Sequence, residues 1–130
     1  MPKRWIAKSY NERLSGTDEL TLPFEALGAK NVYWMYGILL ENNLRGKKDR
    51  VMEQLHTNGI ETRSFFCPMH LQPVFQANHP NYPQVENGSN LMVSTGLWNR
   101  GFYLPSGLGL TMAQIDKVCE KLLKVISRKR

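Results

Sequence analysis

The clearest periodic pattern of apolar and polar residues lies near the C-terminus. In LTMAQIDKVCEKLLKVISR, residues 110–128, apolar side chains recur every three or four positions, which is typical of a helix with one buried face. Thr111 and Gln114 have the spacing of a capping box, so we expect the helix to begin at this point. The predicted buried stripe comprises Ile115, Val118, Cys119, Leu122, Leu123 and Ile126.

Three further stretches show helical periodicity. Apolar positions recur in KRWIAKSYNERLSG, residues 3–16, and in LRGKKDRVMEQLHTNG, residues 44–59, and each stretch closes on a glycine that can end a helix. The pattern is less regular in VENGSNLMVSTGLWN, residues 85–99. The residues predicted to share one helix face are Ile6, Tyr10 and Leu14 in the first stretch, Val51, Met52 and Leu55 in the second, and Leu91, Thr95 and Trp98 in the third.

Three segments have the composition of β-strands. NVYWMYGILLE, residues 31–41, is apolar on both faces, which predicts a central, covered strand with Trp34 and Tyr36 in the core. IETRSFF, residues 60–66, alternates in character, and RGFYLP, residues 100–105, is short and ends at a proline. Alternation in the second segment predicts one face with Ile60, Thr62 and Ser64 and another with Glu61, Arg63 and Phe65.

The order of these segments predicts an α+β fold with one small three-stranded sheet and helices mainly on one side. Residues 17–31 contain Pro23 and Gly28 and are expected to form an extended connection. Residues 67–84 contain four prolines and are expected to form a loop with one helical turn. We find no repeat and no internal boundary, so residues 1–130 are expected to form a single domain.

Composition narrows the class of protein. The chain is 42% hydrophobic and 22% charged, as in ordinary globular proteins, and no apolar run is long enough to cross a bilayer. The first fourteen residues lack the apolar core of a signal peptide, so we expect a cytoplasmic protein. Cys67 and Cys119 are then expected to be free thiols.

The net charge of +6 raises the possibility of nucleic-acid binding. However, the basic residues concentrate toward the two ends of the chain, and residues 64–99 contain no Lys or Arg. A basic helix end is more often solvated than bound to nucleic acid, so this function is disfavoured.

The loop GIETRSFFCPMHLQP, residues 59–73, contains the candidate chemistry. Cys67 and His70 have a spacing found among zinc ligands, and His79 follows, but a structural zinc site needs four ligands and no further pair is present. A Cys67–His70 nucleophile would lack a third, orienting group. The interpretation we favour for both residues is structural.

Arg63 is the most informative charge in this loop because two phenylalanines follow closely. A guanidinium in that setting is suited to a carboxylate or phosphate. An ion pair with Glu61 or Glu86 is an equally good alternative.

Several blocks together resemble one known family. The blocks are RWIAKSYNERL, LTLP, NVYWMYGILLE, DRVMEQLHTNGIETRSFFCPMHLQPVF and GFYLPSGLGLTMAQIDKV. In order and spacing they resemble the C-terminal part of the DegT/DnrJ/StrS aminotransferases, over residues 4–126. These are pyridoxal-phosphate enzymes of the perosamine-synthase kind with fold type I. The resemblance implies a small C-terminal domain with a mainly antiparallel sheet.

The resemblance also implies what the chain cannot do alone. In the family, the Schiff-base lysine and most cofactor contacts lie in the large domain, and no lysine here matches that motif, so no cofactor is expected in this chain. Arg63, Phe66 and His70 would face a nucleotide-sugar substrate or the seam between domains, with roles in positioning. No catalytic residue and no metal ligand is implied.

Two functions follow from this resemblance. The first is a stand-alone or truncated small domain of a nucleotide-sugar aminotransferase, inactive by itself. The second is a binding module, because an apolar face left bare is expected to recruit a partner. That partner would be a second copy in a homodimer or a separately encoded pyridoxal-phosphate domain.

Overall fold

A computed structural model describes residues 2–76 and 91–127 of the chain. Helices flank a small sheet, and in the described part the predicted α+β class is confirmed. The elements are α1 (Pro2–Leu14), β1 (Leu20–Thr21), β2 (Tyr36–Leu40), α2 (Lys48–Thr57), β3 (Arg63–Ser64), α3 (Pro73–Gln76), α4 (Met92–Arg100), β4 (Gly101–Leu104) and α5 (Met112–Ile126). Short 3-10 helices lie at Asn42–Leu44 and Met69–Leu71.

The sheet is antiparallel throughout its described strands, in the order β1-β2-β4-β3. β2 is central, as predicted. Tyr36 pairs with Leu104, and Gly37 pairs with Tyr103. Because Tyr103 also pairs with Arg63, one cross-strand row joins Arg63 to the middle of the sheet.

The prediction of three strands was wrong by one. The additional strand, β1, lies in the segment predicted to be an extended connection, where Leu20 pairs with Leu40 and Thr21 with Leu39. Two residues are too few to show a period in the sequence. Burial of Leu20 beside β2 gives this short strand its place in the sheet.

The central strand is shorter than its composition suggested. Pairing ends where Tyr36 meets Leu104, and the residue that follows β4 is Pro105, which has no backbone N–H to extend the ladder. Trp34, predicted to lie in the core, is instead 67% exposed. Tyr36 is fully buried, as predicted.

The core lies between one face of the sheet and helices α1, α2 and α5. Tyr10 of α1 and Tyr36 of β2 contact each other with ring centres 4.7 Å apart, and their hydroxyls donate to Pro105 O and Asn11 Oδ1. Cys119 is buried and Cys67 half-buried, and both are free thiols. The cluster is completed by Ile6, Leu14, Ile38, Leu40, Leu55, Phe102, Leu104, Ile115, Val118, Leu122 and Ile126, among others.

The start of α5 confirms the capping box. The Thr111 hydroxyl accepts from the Gln114 backbone N–H at 3.3 Å, and the Gln114 side chain accepts from the Thr111 backbone N–H at 2.9 Å. The PSGLGLT loop before it is therefore the turn that leads into a capped helix. None of the helices in the described ranges is long and apolar enough to cross a membrane.

Candidate functional site

The residues predicted to face a substrate or the seam between domains are Arg63, Phe66 and His70, called the wall residues below. They lie along β3 and the loop that follows it. Arg63 occupies the edge strand with its side chain exposed, and Phe66, two residues past the strand, is 63% exposed. His70 is half-buried in the 3-10 helix Met69–Leu71. Arg63 pairs with Tyr103 across the two strands. The centres of the Phe66 and Tyr103 rings are 6.2 Å apart.

His70 is held by a different element. Its Nε2 lies 3.1 Å from Thr95 Oγ1 on α4. The loop after β3 is thereby attached to α4, which contacts the sheet through β2 and β4. Sequence reasoning placed Thr95 on one side of a helix with Leu91 and Trp98 and did not connect it to His70.

Phe65 sets the position of Phe66. Its ring lies over Gly37 and Gly101, on the sheet face opposite the helical core, and contacts the Tyr103 ring at 4.6 Å. A Cβ atom at Gly101 would lie 2.3 Å from the Phe65 ring. Two glycines on paired strands are the sequence signal for such a close approach, and sequence reasoning missed it.

The charge of Arg63 is not neutralised by its near neighbour. Within residues 2–76 and 91–127, the ion pairs do not include Arg63 with Glu61, and Glu86 lies outside those ranges. The alternative of a pair with Glu61 is therefore not supported. The guanidinium is exposed and can bind an anion.

The described residues offer no cluster of three or more His, Cys, Asp or Glu that could hold a metal ion. Cys67 Sγ has its polar contact with Pro68 O at 3.8 Å, and His70 has its contact with Thr95. The predicted third residue, His79, lies outside the described ranges.

A buried lysine stands beside the wall and was not singled out in the sequence. Lys48, at the start of α2, is 7% exposed. Its Nζ donates to Ser64 Oγ at 2.7 Å and to Trp98 O at 2.8 Å. It thus joins α2, β3 and the end of α4, and it lines a cleft of about 700 Å³ together with Phe66 and Cys67.

Comparison with known proteins identifies the family. The sequence profile of the DegT/DnrJ/EryC1/StrS aminotransferase family matches residues 2–123. GDP-perosamine synthases from Caulobacter vibrioides and Vibrio cholerae are 32% and 31% identical to this chain over 118 and 117 residues. Each alignment covers 90% of this chain but 30% of the relative, so the chain spans about 30% of the length of the curated relatives it matches.

Solved structures confirm the fold. S. venezuelae DesV, in complex with a ketimine intermediate, superposes with a TM-score of 0.81 at 22% identity, over 99% of this chain and 32% of that one. Helicobacter pylori PseC, an aminotransferase of pseudoaminic acid biosynthesis, gives 0.80 at 18% identity, over 95% and 32%. The chain belongs to the DegT/DnrJ/EryC1/StrS aminotransferase family and corresponds to the C-terminal small domain of its members.

Proposed function

We propose that this chain is the small domain of a nucleotide-sugar aminotransferase, folded as one unit, and that it supplies a wall of the substrate cleft. The observation that carries the proposal is the wall itself, in which exposed Arg63 and Phe66 and half-buried His70 are each braced by a neighbouring element. The relatives named GDP-perosamine synthase support the substrate class.

The three wall residues have separate roles in this proposal. Arg63 pairs with a phosphate or carboxylate of the substrate, because its guanidinium is exposed and has no acidic partner among the described residues. Phe66 offers an apolar ring held in place by Tyr103. His70, oriented by Thr95, offers a hydrogen bond. All three position the substrate and none breaks a bond.

The family depends on pyridoxal phosphate, but the residues of this chain do not fit a complete site for it. The cofactor requires a lysine for covalent attachment and an acid for the pyridine nitrogen. The one buried lysine of the described ranges, Lys48, is engaged with Ser64 and Trp98. Its nearest acid, Asp49, is 4.0 Å away and lines the same cleft, but its side chain is 96% exposed, so water competes for any contact with the pyridine nitrogen. We therefore assign the cofactor to the large domain.

A chimera tests this function. We expect that replacing the small domain of the Caulobacter vibrioides GDP-perosamine synthase with this chain yields an enzyme that aminates a keto-sugar nucleotide. Arg63→Ala in the chimera is expected to lower kcat/KM by about tenfold or more, because a charge-assisted hydrogen bond is lost. Phe66→Ala and His70→Ala are expected to lower it less. Lys117→Ala, which removes an exposed positive charge from α5, is the control.

Two outcomes would contradict the proposal. One is a folded, active chimera whose kcat/KM is the same with Arg63→Ala, Phe66→Ala and His70→Ala as without them. The other is amino transfer by the 130-residue chain alone with added pyridoxal phosphate, trapped by borohydride as a stoichiometric lysine adduct.

A second candidate function, partner recruitment, is favoured by exposed apolar side chains. Phe24, Leu27, Val32 and Trp34 lie close in sequence and are all exposed. Such a group indicates a surface that is covered in an assembly. We expect the chain to form a homodimer or to bind a separately encoded large domain, and Trp34→Ser to weaken either association. Light scattering that finds a strict monomer at high concentration, with no binding to the isolated large domain of a relative, would exclude this function.

A further inference from the structure

Lys48 is a buried cation whose hydrogen-bond partners carry no charge. Its ammonium group donates to a hydroxyl, Ser64 Oγ, and to a carbonyl, Trp98 O. It also lies 5.3 Å from the centre of the Trp98 ring. An ammonium has three donors, so two protein acceptors leave one donor for another group.

Among the described residues, no buried acidic side chain compensates this charge. The nearest carboxylate in the described ranges is Asp49, 4.0 Å away, and its exposed position lets solvent screen the attraction. A buried charge without an opposite charge is strongly disfavoured. The face of an indole ring offsets only part of that penalty.

The surroundings of Lys48 favour an anion. The group lines the cleft of about 700 Å³ between the start of α2, the end of β3 and the end of α4, and the exposed Asp49 also lines this cleft. Residues 45–50, RGKKDR, contain four basic residues and one acid, which makes the local potential positive. Lys47, at the N-cap of α2, provides no side-chain cap, so first-turn backbone amides remain available to a ligand.

We propose that this cleft binds a phosphate group, with the Lys48 ammonium as its main ligand. A phosphate supplies an opposite charge that the exposed Asp49 provides only weakly, and it has several oxygens, so it can accept from the ammonium and from the α2 backbone amides together. The phosphate can belong to a free anion or to a nucleotide, since both carry the same group. This inference goes beyond the proposed function and does not require the chimera to be active.

The test is a titration of the intact 130-residue chain with inorganic phosphate, followed by NMR at constant ionic strength. We expect saturable shifts of the backbone amides of residues 47–50 and of the Lys48 ammonium signal. Lys48→Met is expected to weaken binding by about tenfold or more. Lys117→Met, which removes the same charge from an exposed site on α5, is the matched control and is expected to change the affinity by less than about twofold.

Further titrations distinguish a nucleotide phosphate from a free one, and phosphate from other anions. GDP binding tighter than inorganic phosphate, with guanosine causing no shift at residues 47–50, would assign the site to a nucleotide phosphate. Equal affinities would assign it to a free anion, and both results support the proposal. Acetate binding as tightly as phosphate would overturn it, and so would shifts confined to other residues or none at all. If Lys48→Met does not fold, Lys48→Arg replaces it and is expected to retain binding, and loss of binding in that folded variant would also overturn the proposal.

Discussion

Gly101→Ala is expected to lower the free energy of unfolding by about 3 kcal/mol, the upper part of the range for inserting a methyl group into a packed site. The added Cβ would lie 2.3 Å from the Phe65 ring and 2.6 Å from Leu97 O. The ring can rotate away, but Leu97 O belongs to the backbone of α4 and cannot. Urea unfolding followed by circular dichroism measures the loss.

Two other glycines provide the controls. At Gly37, a Cβ would meet only side-chain atoms, with the Phe65 ring 2.8 Å away. Gly37→Ala is therefore expected to lower the free energy of unfolding less than Gly101→Ala does. Adding Phe65→Leu is expected to restore most of the stability lost in Gly37→Ala. It should not restore Gly101→Ala, because the clash with Leu97 O remains. Gly96, inside α4, has open space around its Cβ position, so Gly96→Ala is expected to stabilise the protein by up to about 1 kcal/mol. A Gly101→Ala protein as stable as the wild type would refute this interpretation.

The same contact links stability to the proposed function. The Phe65 ring fits against the sheet because Gly37 and Gly101 have no side chains, and Phe66 follows it directly in the sequence. A change that lifts the Phe65 ring also moves the exposed Phe66 ring from its contact with Tyr103. The glycines thus act on the wall indirectly, through packing.

The fold was largely predictable where apolar residues repeat over several turns. α5 and its capping box follow directly from a long stripe and a Thr–Gln spacing. β1 could not be predicted, because a two-residue strand has no period and depends on pairing with β2. Trp34 was misplaced because strand composition continues past the point where Pro105 ends the ladder.

The site was predictable in part. Family resemblance gave Arg63, Phe66 and His70, and their roles stay predictions. The contacts of these residues were missed, since Thr95 lies 25 positions from His70 and Tyr103 lies 37 positions from Phe66, and each pair meets only in the folded chain. Lys48, which bonds Ser64 from 16 positions away, was missed as well. A lysine in a basic stretch such as RGKKDR is normally taken to be solvated, which is why a buried one was overlooked.

The core is expected to weaken sharply in alkali because it buries three weak acids. Burial, together with the nearby Asp116 and against the influence of Arg13, raises the pKa of the Cys119 thiol from 9.0 to about 11. Burial likewise raises the pKa of Tyr10 and Tyr36 above the ordinary value of 10.0, and the nearby Cys119 adds to both shifts. In each case the native state favours the neutral form.

The sign of the pH effect follows from proton counts. Above pH 9 the unfolded chain has lost the Cys119 proton while the native chain keeps it, so stability is complete below pH 9 and falls until about pH 11. With these pKa values, the free energy of unfolding should drop by roughly 1 kcal/mol between pH 8 and pH 10. The two tyrosines extend the fall above pH 10.

Urea midpoints measured from pH 8 to pH 11 test this origin of alkaline instability. Cys119→Ala removes the first ionisation, so its stability is expected to stay level to about pH 10 and then to fall with the tyrosines. Cys67→Ala leaves Cys119 in place and should keep the wild-type slope. The comparison is between slopes of stability against pH. A loss of packing that lowers stability equally at every pH, in either variant, therefore does not affect it. An equal fall from pH 8 to pH 10 in Cys119→Ala would assign the effect to another group and would show that this thiol ionises as readily in the native core as in the unfolded chain.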